Sequence, residues 1–465
     1  MLKSLQIQNF KAWKDTGTIR MAPITLFFGA NSSGKSSIGQ FLMMLKQTVE
    51  SPDRRAVFYP GGSNTAVQLG SYVEMVFGRN PENIIEFEYL WSLQDYLRFK
   101  NPGSEESFSG NGLSFHAEVG SRENQSAPVL TTLKYGLMNG NENSLSIEMR
   151  RRAKAKSEYQ VEATNYPLKR RQGRVWHPGA PVRFYGFPDE VVAYYQNADF
   201  VQEFNLQHEK LFRSIYYLGP LRTKAERLYS WAGTEPDSVG FAGENTVAAI
   251  LAAQNRKISL GYKRRTRQFE EIIASKLKEM RLIEEFKINS ISEQRQAYEV
   301  KLHTRLSQEW VDLPDVGFGI SQVLPVLVQC FYAPPNSIII MEQPEIHLHP
   351  NAQSALADVM IDVINSRENG ADRNIQLVIE THSEHFLRRL QRRIAEEKLS
   401  QNKLSAYFAE ITGSQPILKH LEIDLFGNIR NWPEHFFGDE MGDIAEQAKA
   451  SINRRRKEDN TASKE

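Results

Sequence analysis

The chain has 465 residues, 40% of them hydrophobic and 24% charged, which is the balance of an ordinary globular protein with room for roughly two or three compact units. A formal net charge of +1 excludes a global field that would gather nucleic acid, so any such contact must come from a local patch. The single cysteine, Cys330, excludes an intrachain disulfide and a Cys-based zinc finger; no apolar run of about 18 residues could span a bilayer and residues 1–6 carry no secretory core, so a cytoplasmic, membrane-free protein is expected.

Leu5 and Ile7 alternate with polar neighbours up to Asn9-Phe10-Lys11, predicting an opening strand. Residues 24–28 are a short apolar run that feeds the octapeptide Gly29-Ala30-Asn31-Ser32-Ser33-Gly34-Lys35-Ser36, and residues 38–45 read as a helix. The octapeptide fits GxxxxGK[ST] without a mismatch, in the strand–loop–helix setting that this phosphate-binding loop requires. Its glycines let backbone N–H groups turn towards a phosphate chain, Lys35 supplies charge to the β/γ-phosphates, and the Ser36 hydroxyl faces Mg²⁺. Asn31, Ser32, Ser33, Gly34 and Ser37 complete the expected cradle.

Residues 52–135 mix Gly, Asn and Ser clusters with short apolar runs such as Ile84-Ile85-Glu86-Phe87, predicting an antiparallel β-region. From 150 to 174 the composition turns basic (Arg150, Arg151, Arg152, Lys154, Lys156, Lys169, Arg170, Arg171, Arg174), with Tyr159 and Tyr166 interleaved and Trp176 following. Such a segment suits a nucleic-acid backbone and stacked bases, or simply a solvated charged loop. Residues 185–288 read as largely helical, including an amphipathic stretch over 269–286.

Val316-Gly317-Phe318-Gly319-Ile320-Ser321-Gln322 opens an apolar helix over 323–332 that contains Cys330, and forms a second anion-ready helix N-terminus. One phosphate-binding loop needs one cradle in its own chain; a spare one makes sense if it closes over the nucleotide of a second subunit. Ile338-Ile339-Ile340-Met341 is a buried strand ending in Glu342-Gln343-Pro344-Glu345, where Mg²⁺ and the attacking water would be managed. A helix over 352–365 and a strand over 375–379 follow, the latter ending in Glu380-Thr381-His382-Ser383, from which His382 can sense a γ-phosphate. His347, His349, His382 and His385, four of the ten histidines, are more simply phosphate-proximal residues than a metal set. Arg388, Arg389, Arg392 and Arg393 read as a solvated helix face, and the polar tail from Ser451 as disordered.

Together these motifs resemble the α/β P-loop NTPase heads of ABC type shared by SMC, RecF and OLD proteins. More narrowly they resemble bacterial AAA-class ATPases related to the OLD family that lack its nuclease. Gln8-Asn9-Phe10-Lys11, Tyr217-Leu218-Gly219-Pro220-Leu221-Arg222, the glycine–serine run before Gln322, the segment from Glu342 to Pro350, Glu380-Thr381-His382-Ser383-Glu384-His385 and Trp432-Pro433-Glu434-His435-Phe436-Phe437 carry the likeness. It implies an N-terminal half-head over 1–95, an inserted β, helical and basic region over 96–288, a C-terminal half-head over 289–440, and a tail over 441–465. It places Lys11 near phosphate, Gly319, Ser321 and Gln322 in a signature that completes a partner's ATP site, His349 in the D-loop, His382 at the switch, and Gln68 as a Q-loop metal ligand beside Ser36 and Glu342, with Gln40 and Gln47 competing for that place.

The resemblance also implies ATP and Mg²⁺ as cofactors, head-to-head assembly of two or more copies, and control of a separate nuclease or toxin in anti-phage systems of Septu or PARIS type. The alternative is a DNA-binding repair ATPase like RecF. The pattern departs from such heads at Gln343, which stands where a Glu normally serves as general base; Glu345 or Glu342 could substitute, or hydrolysis is slow.

Overall fold

The computed structural model describes residues 1–101, 106–122, 125–152, 159–173, 176–292, 296–304, 309–413, 415–433, 436 and 440–462. Two sheets dominate. The first is eight-stranded and antiparallel, running Trp13–Asp15, Leu2–Phe10, Ile85–Lys100, Ser107–Arg122, Gln125–Asn139, Glu142–Arg151 and Tyr159–Thr164, with Ile19–Arg20 paired to the opening strand. Alternate residues such as Phe87, Tyr89 and Trp91 point into one core, the period-2 signature of a sheet with one buried face.

The second sheet has six strands in the order Ile215–Leu218, Ile338–Glu342, Gln376–Glu380, Ile24–Gly29, Leu404–Thr412 and Gln415–His420. The first five are parallel and the last pairs antiparallel. Its strands read as unbroken apolar runs because both faces are covered. Ile338, Ile340 and Val378 face the core shared with the antiparallel sheet, where helices Lys35–Glu50 and Phe200–Arg213 also pack. Ile339, Met341, Leu377 and Ile379 face a second core built with helices Phe269–Glu279, Phe318–Tyr332, Pro350–Asn365 and Glu384–Ala395. In parallel sheets of this kind ligands bind beyond the carboxyl ends of the strands, and Gly29, Glu342 and Glu380 all end strands on that edge.

The structure differs from the sequence expectations in four places. Residue 95 lies inside strand Ile85–Lys100, so no boundary falls there. The strand Ile215–Leu218 pairs with Ile338–Glu342, so the parallel sheet resumes well before residue 289. Residues 185–288 are less helical than expected; the helix Phe269–Glu279 stops short of Phe286, which lies in strand Glu285–Ser292 beside Ala297–His303. The tail is helical over Glu440–Ala462, with its described residues mostly exposed; Glu, Ala, Gln and Lys are strong helix formers even where nothing packs against them. Among the described residues no helix is long and apolar enough to cross a membrane.

Candidate nucleotide site

The loop after strand Ile24–Gly29 is held by two glycines for different reasons. Gly29 has φ +140, and a Cβ there would lie 2.3 Å from the Ala409 carbonyl oxygen on the neighbouring strand. Gly34 caps helix Lys35–Glu50 in the left-handed region at φ +89, and a Cβ would come within 3.0 Å of Ala12 and 3.1 Å of the Trp13 ring. Trp13 Nε1 donates to the Gly34 carbonyl at 2.9 Å, which ties the loop to the start of strand Trp13–Asp15. No side chain caps this helix and no acidic residue sits in its first turn, so its positive dipole end is left for an anionic ligand. Lys35 Nζ donates to the carbonyls of Gly29 (3.0 Å) and Ala30 (2.7 Å). Burial lowers the Lys35 pKa, against the opposing charge of Glu380.

A cleft of about 390 Å³ opens over this loop, lined by Lys11, Asn31, Ser32, Gly34, Lys35, Ser36, Ser37, Gln40, Gln343, Glu380 and His382, with Ala12 at its edge. Lys11 Nζ donates to Gln40 Oε1 at 2.6 Å. His382 is held towards its neutral form by burial and then by Lys35. Ser33 is buried beneath the loop and is absent from this lining. Gln68 is exposed and also off the cleft, while Gln47 is committed to both backbone groups of Val67; Gln40 is the glutamine that reaches the cleft.

Three carboxylates near the cleft have separate surroundings. Glu342 and Glu380 stand side by side at the ends of paired parallel strands, each only 9% exposed. Tyr217 Oη donates to Glu342 Oε1 at 2.9 Å. Burial and then the Glu380 charge push Glu342 up to about 7, opposed by the Tyr217 hydrogen bond and Lys11. Glu380 is raised by burial and opposed by a hydrogen bond with Ser36 and by Lys35. It lines the cleft whereas Glu342 does not, and its Oε2 is buried with no hydrogen-bond partner among the described residues.

Glu345 is not part of the cleft lining, and its Oε2 too is buried with no hydrogen-bond partner among the described residues. Its Oε1 accepts the His382 backbone N–H at 2.8 Å, it is 6% exposed, and Arg222 is its nearby countercharge. Arg222 in turn donates to the carbonyls of Gln322 (3.2 Å), Glu342 (3.2 Å) and Gln343 (3.3 Å). That set clamps the helix Phe318–Tyr332 to the end of the strand carrying Glu342, while Glu345 holds the His382 backbone. Gln343 has φ +45 and donates its backbone N–H to the Glu380 carbonyl at 2.8 Å.

The glycine–serine segment lies outside this cleft. Gly319 sits so close to the His347 carbonyl that a Cβ would approach it at 2.8 Å. Ser321 Oγ donates to the Phe318 carbonyl at 2.8 Å, and Phe318 is 54% exposed. Gln322 is 3% exposed and points into the core, which removes its side chain from the expected contact with a partner's nucleotide. His349 caps helix Pro350–Asn365, its Nδ1 accepting from Asn351 N at 3.3 Å.

Among the described residues no group of three or more His, Cys, Asp or Glu is placed to hold a metal ion. The arginines after Ser383 are ion-paired, Arg389 and Arg393 to Asp358, Arg388 to Glu384 and Arg392 to Glu396. In the basic segment, Lys154, Lys156 and Arg174 lie outside the described residues. The Tyr159 and Tyr166 rings there are core, their hydroxyls donating to the carbonyls of Leu130 and Asn197, which leaves Trp176 as the exposed aromatic.

A family model described as "AAA domain, putative AbiEii toxin, Type IV TA system" matches residues 24–388. The chain belongs to this AAA_21 family. A second model, of a protein of unknown function (DUF3696), matches residues 399–447, the last two strands of the parallel sheet and the start of the terminal helix. The fold of this AAA_21 chain is a mixed α/β one, a mostly parallel sheet that carries the phosphate-binding loop beside an antiparallel β-subdomain. It is similar to the SMC head domain from Thermotoga maritima at 10% identity and TM-score 0.39, over 91% of this chain and 99% of that one. It is likewise similar to a Pyrococcus furiosus Smc head with an extended coiled coil bound to the C-terminal domain of ScpA, at 10% identity and TM-score 0.41, over 90% and 96% of the two chains. No curated protein matches it.

Proposed function

We propose that this chain binds Mg-ATP in the cleft above Lys35 and hydrolyses it slowly, using the bound state to close head to head on a second copy. The observation that carries this is the convergence of a phosphate-binding loop, His382 and Glu380 on one cleft in which the general-base position is Gln343. A glutamine cannot accept a proton from water, and Glu345 is committed to His382 N–H. Mg²⁺, when bound with the nucleotide, neutralises charge on the phosphates. Gly319 and Ser321 are the residues that would meet the partner's nucleotide.

In this reading the chain is the regulatory subunit of an anti-phage system and controls a separate nuclease or toxin, with no nuclease of its own. The family description, which names a putative toxin of a toxin–antitoxin system, supports a place in defence. The RecF-like reading is weakened because two of the aromatics in the basic segment are structural. The test is to co-purify the protein with the products of its neighbouring genes and weigh the complex with and without ATP. A nucleotide-dependent complex with an effector is expected. DNA-stimulated hydrolysis with a steep salt dependence, lost on neutralising the 150–174 segment, would favour repair instead.

A further inference from the structure

We infer that Glu380, rather than Glu342, is the carboxylate that meets the Mg²⁺ of the bound nucleotide, together with the Ser36 hydroxyl; this rests on the nucleotide-site reading above. The two glutamates leave neighbouring strands in register, so position along the strand does not separate them. Their surroundings do. Glu342 Oε1 is occupied by the Tyr217 hydroxyl at 2.9 Å, and Glu342 is not part of the cleft lining. Glu380 lines the cleft, shares a hydrogen bond with Ser36, and keeps Oε2 buried with no partner among the described residues.

A carboxylate oxygen withdrawn from water and given no donor is costly to leave so. A hard cation that takes oxygen ligands supplies what that atom lacks. Mg²⁺ is typically held by one or two carboxylates plus substrate phosphates. Ser36 brings the hydroxyl from the first turn of the phosphate-binding helix, and Glu380 brings the carboxylate from the strand next to that helix's own strand. Glu342 is then a positioning residue that anchors Tyr217 behind the cleft.

The experiment uses the full chain with Mn²⁺ as the probe, free Mn²⁺ being read by electron paramagnetic resonance in the presence of ADP. Fluorescent mant-ADP titrated in EDTA reads nucleotide binding without metal. Glu380→Gln is expected to weaken Mn²⁺ affinity in the ADP complex by roughly 10–100-fold while leaving mant-ADP affinity in EDTA essentially unchanged. Glu342→Gln is expected to keep near wild-type Mn²⁺ affinity. A Glu380→Gln protein that holds Mn²⁺ like wild type, or a Glu342→Gln protein that loses as much, overturns the assignment. Should Glu380→Gln not fold, Glu380→Asp carries the test: the shortened side chain must weaken Mn²⁺, and wild-type affinity overturns the proposal. Failure of the wild-type protein to bind mant-ADP would sink the nucleotide-site reading itself.

Discussion

Gln343 offers the sharpest perturbation, because in the proposed site it occupies the position of the general base. Its backbone N–H is held by the Glu380 carbonyl at 2.8 Å and the residue lines the cleft over Lys35. Gln343→Glu exchanges one terminal group and keeps the shape of the side chain, so the backbone geometry at this position is retained. A positioned general base is worth roughly 10²–10⁴ in rate, or about 2.7–5.4 kcal/mol of barrier. Against this stands a third carboxylate beside Glu342 and Glu380, a pair whose mutual charge already helps to push Glu342 up to about 7. Two like charges about 4 Å apart near a protein surface repel by up to about 4 kcal/mol, and the open, solvated cleft screens part of that. The balance leaves an expected gain of roughly 10–10³-fold in the hydrolytic step. Single-turnover phosphate release at saturating Mg-ATP reads that step without interference from product release, and mant-ATP binding controls for folding. An unchanged rate with intact binding refutes the reasoning. So does fast wild-type hydrolysis abolished only by Glu345→Ala, because Glu345 holds the His382 backbone N–H and lies off the cleft lining.

Lys35→Ala should abolish nucleotide binding; equilibrium dialysis showing tight ATP binding by the variant would sink the loop assignment. Ser321→Arg should leave mant-ATP binding by the monomer intact while blocking ATP-dependent dimerisation in sedimentation, and persistent hydrolysis would refute a site shared between two copies. His208 predicts a pH effect on stability. It is fully buried between Tyr89 (Nε2, 2.9 Å) and Tyr135 (Nδ1, 2.8 Å), and burial holds its pKa well below the usual value. The unfolded chain therefore binds a proton that the fold rejects, so stability is complete above about pH 6.5 and falls below it. Between pH 7.5 and 5.5 urea denaturation should lose about 1.4 kcal/mol in the wild type beyond any loss in His208→Gln; equal losses in both proteins would refute this.

Much of the parallel core was legible because two-sided burial writes itself as uninterrupted apolar runs, as at 338–341, and because a phosphate-binding loop needs particular residues at particular spacings. The region over 215–303 was not, since short strands such as Ile215–Leu218 and Ala297–His303 are built by long-range pairing that helical periodicity does not report. The same limit applies to the basic segment, which reads equally as a nucleic-acid contact or a solvated charged loop, while Tyr159 and Tyr166 are buried in the core. The choice among Gln68, Gln40 and Gln47 stays open in the sequence for a related reason: spacing from Lys35 carries no information on which glutamine faces the cleft, while Gln40, on the helix that starts at Lys35, is brought there by the helix itself.

The acidic residues show most clearly where sequence reading ends. Glu342, Glu345 and Glu380 all follow or end apolar strands, and by pattern alone the first two, closest to Gln343, are the natural choice for metal and base. What separates them is which partners the fold has already spent. Tyr217 arrives from a strand 125 residues earlier in the chain to occupy Glu342 Oε1, and the His382 backbone occupies Glu345 Oε1. Glu345 also keeps Oε2 without a donor, but away from the cleft lining, whereas Glu380 keeps its Oε2 without one against Ser36 and in the cleft. The signal available in advance was the symmetry of two strands each ending in Glu; the register that pairs Glu342 with Glu380 turns that symmetry into a choice, and hydrogen-bond satisfaction makes it.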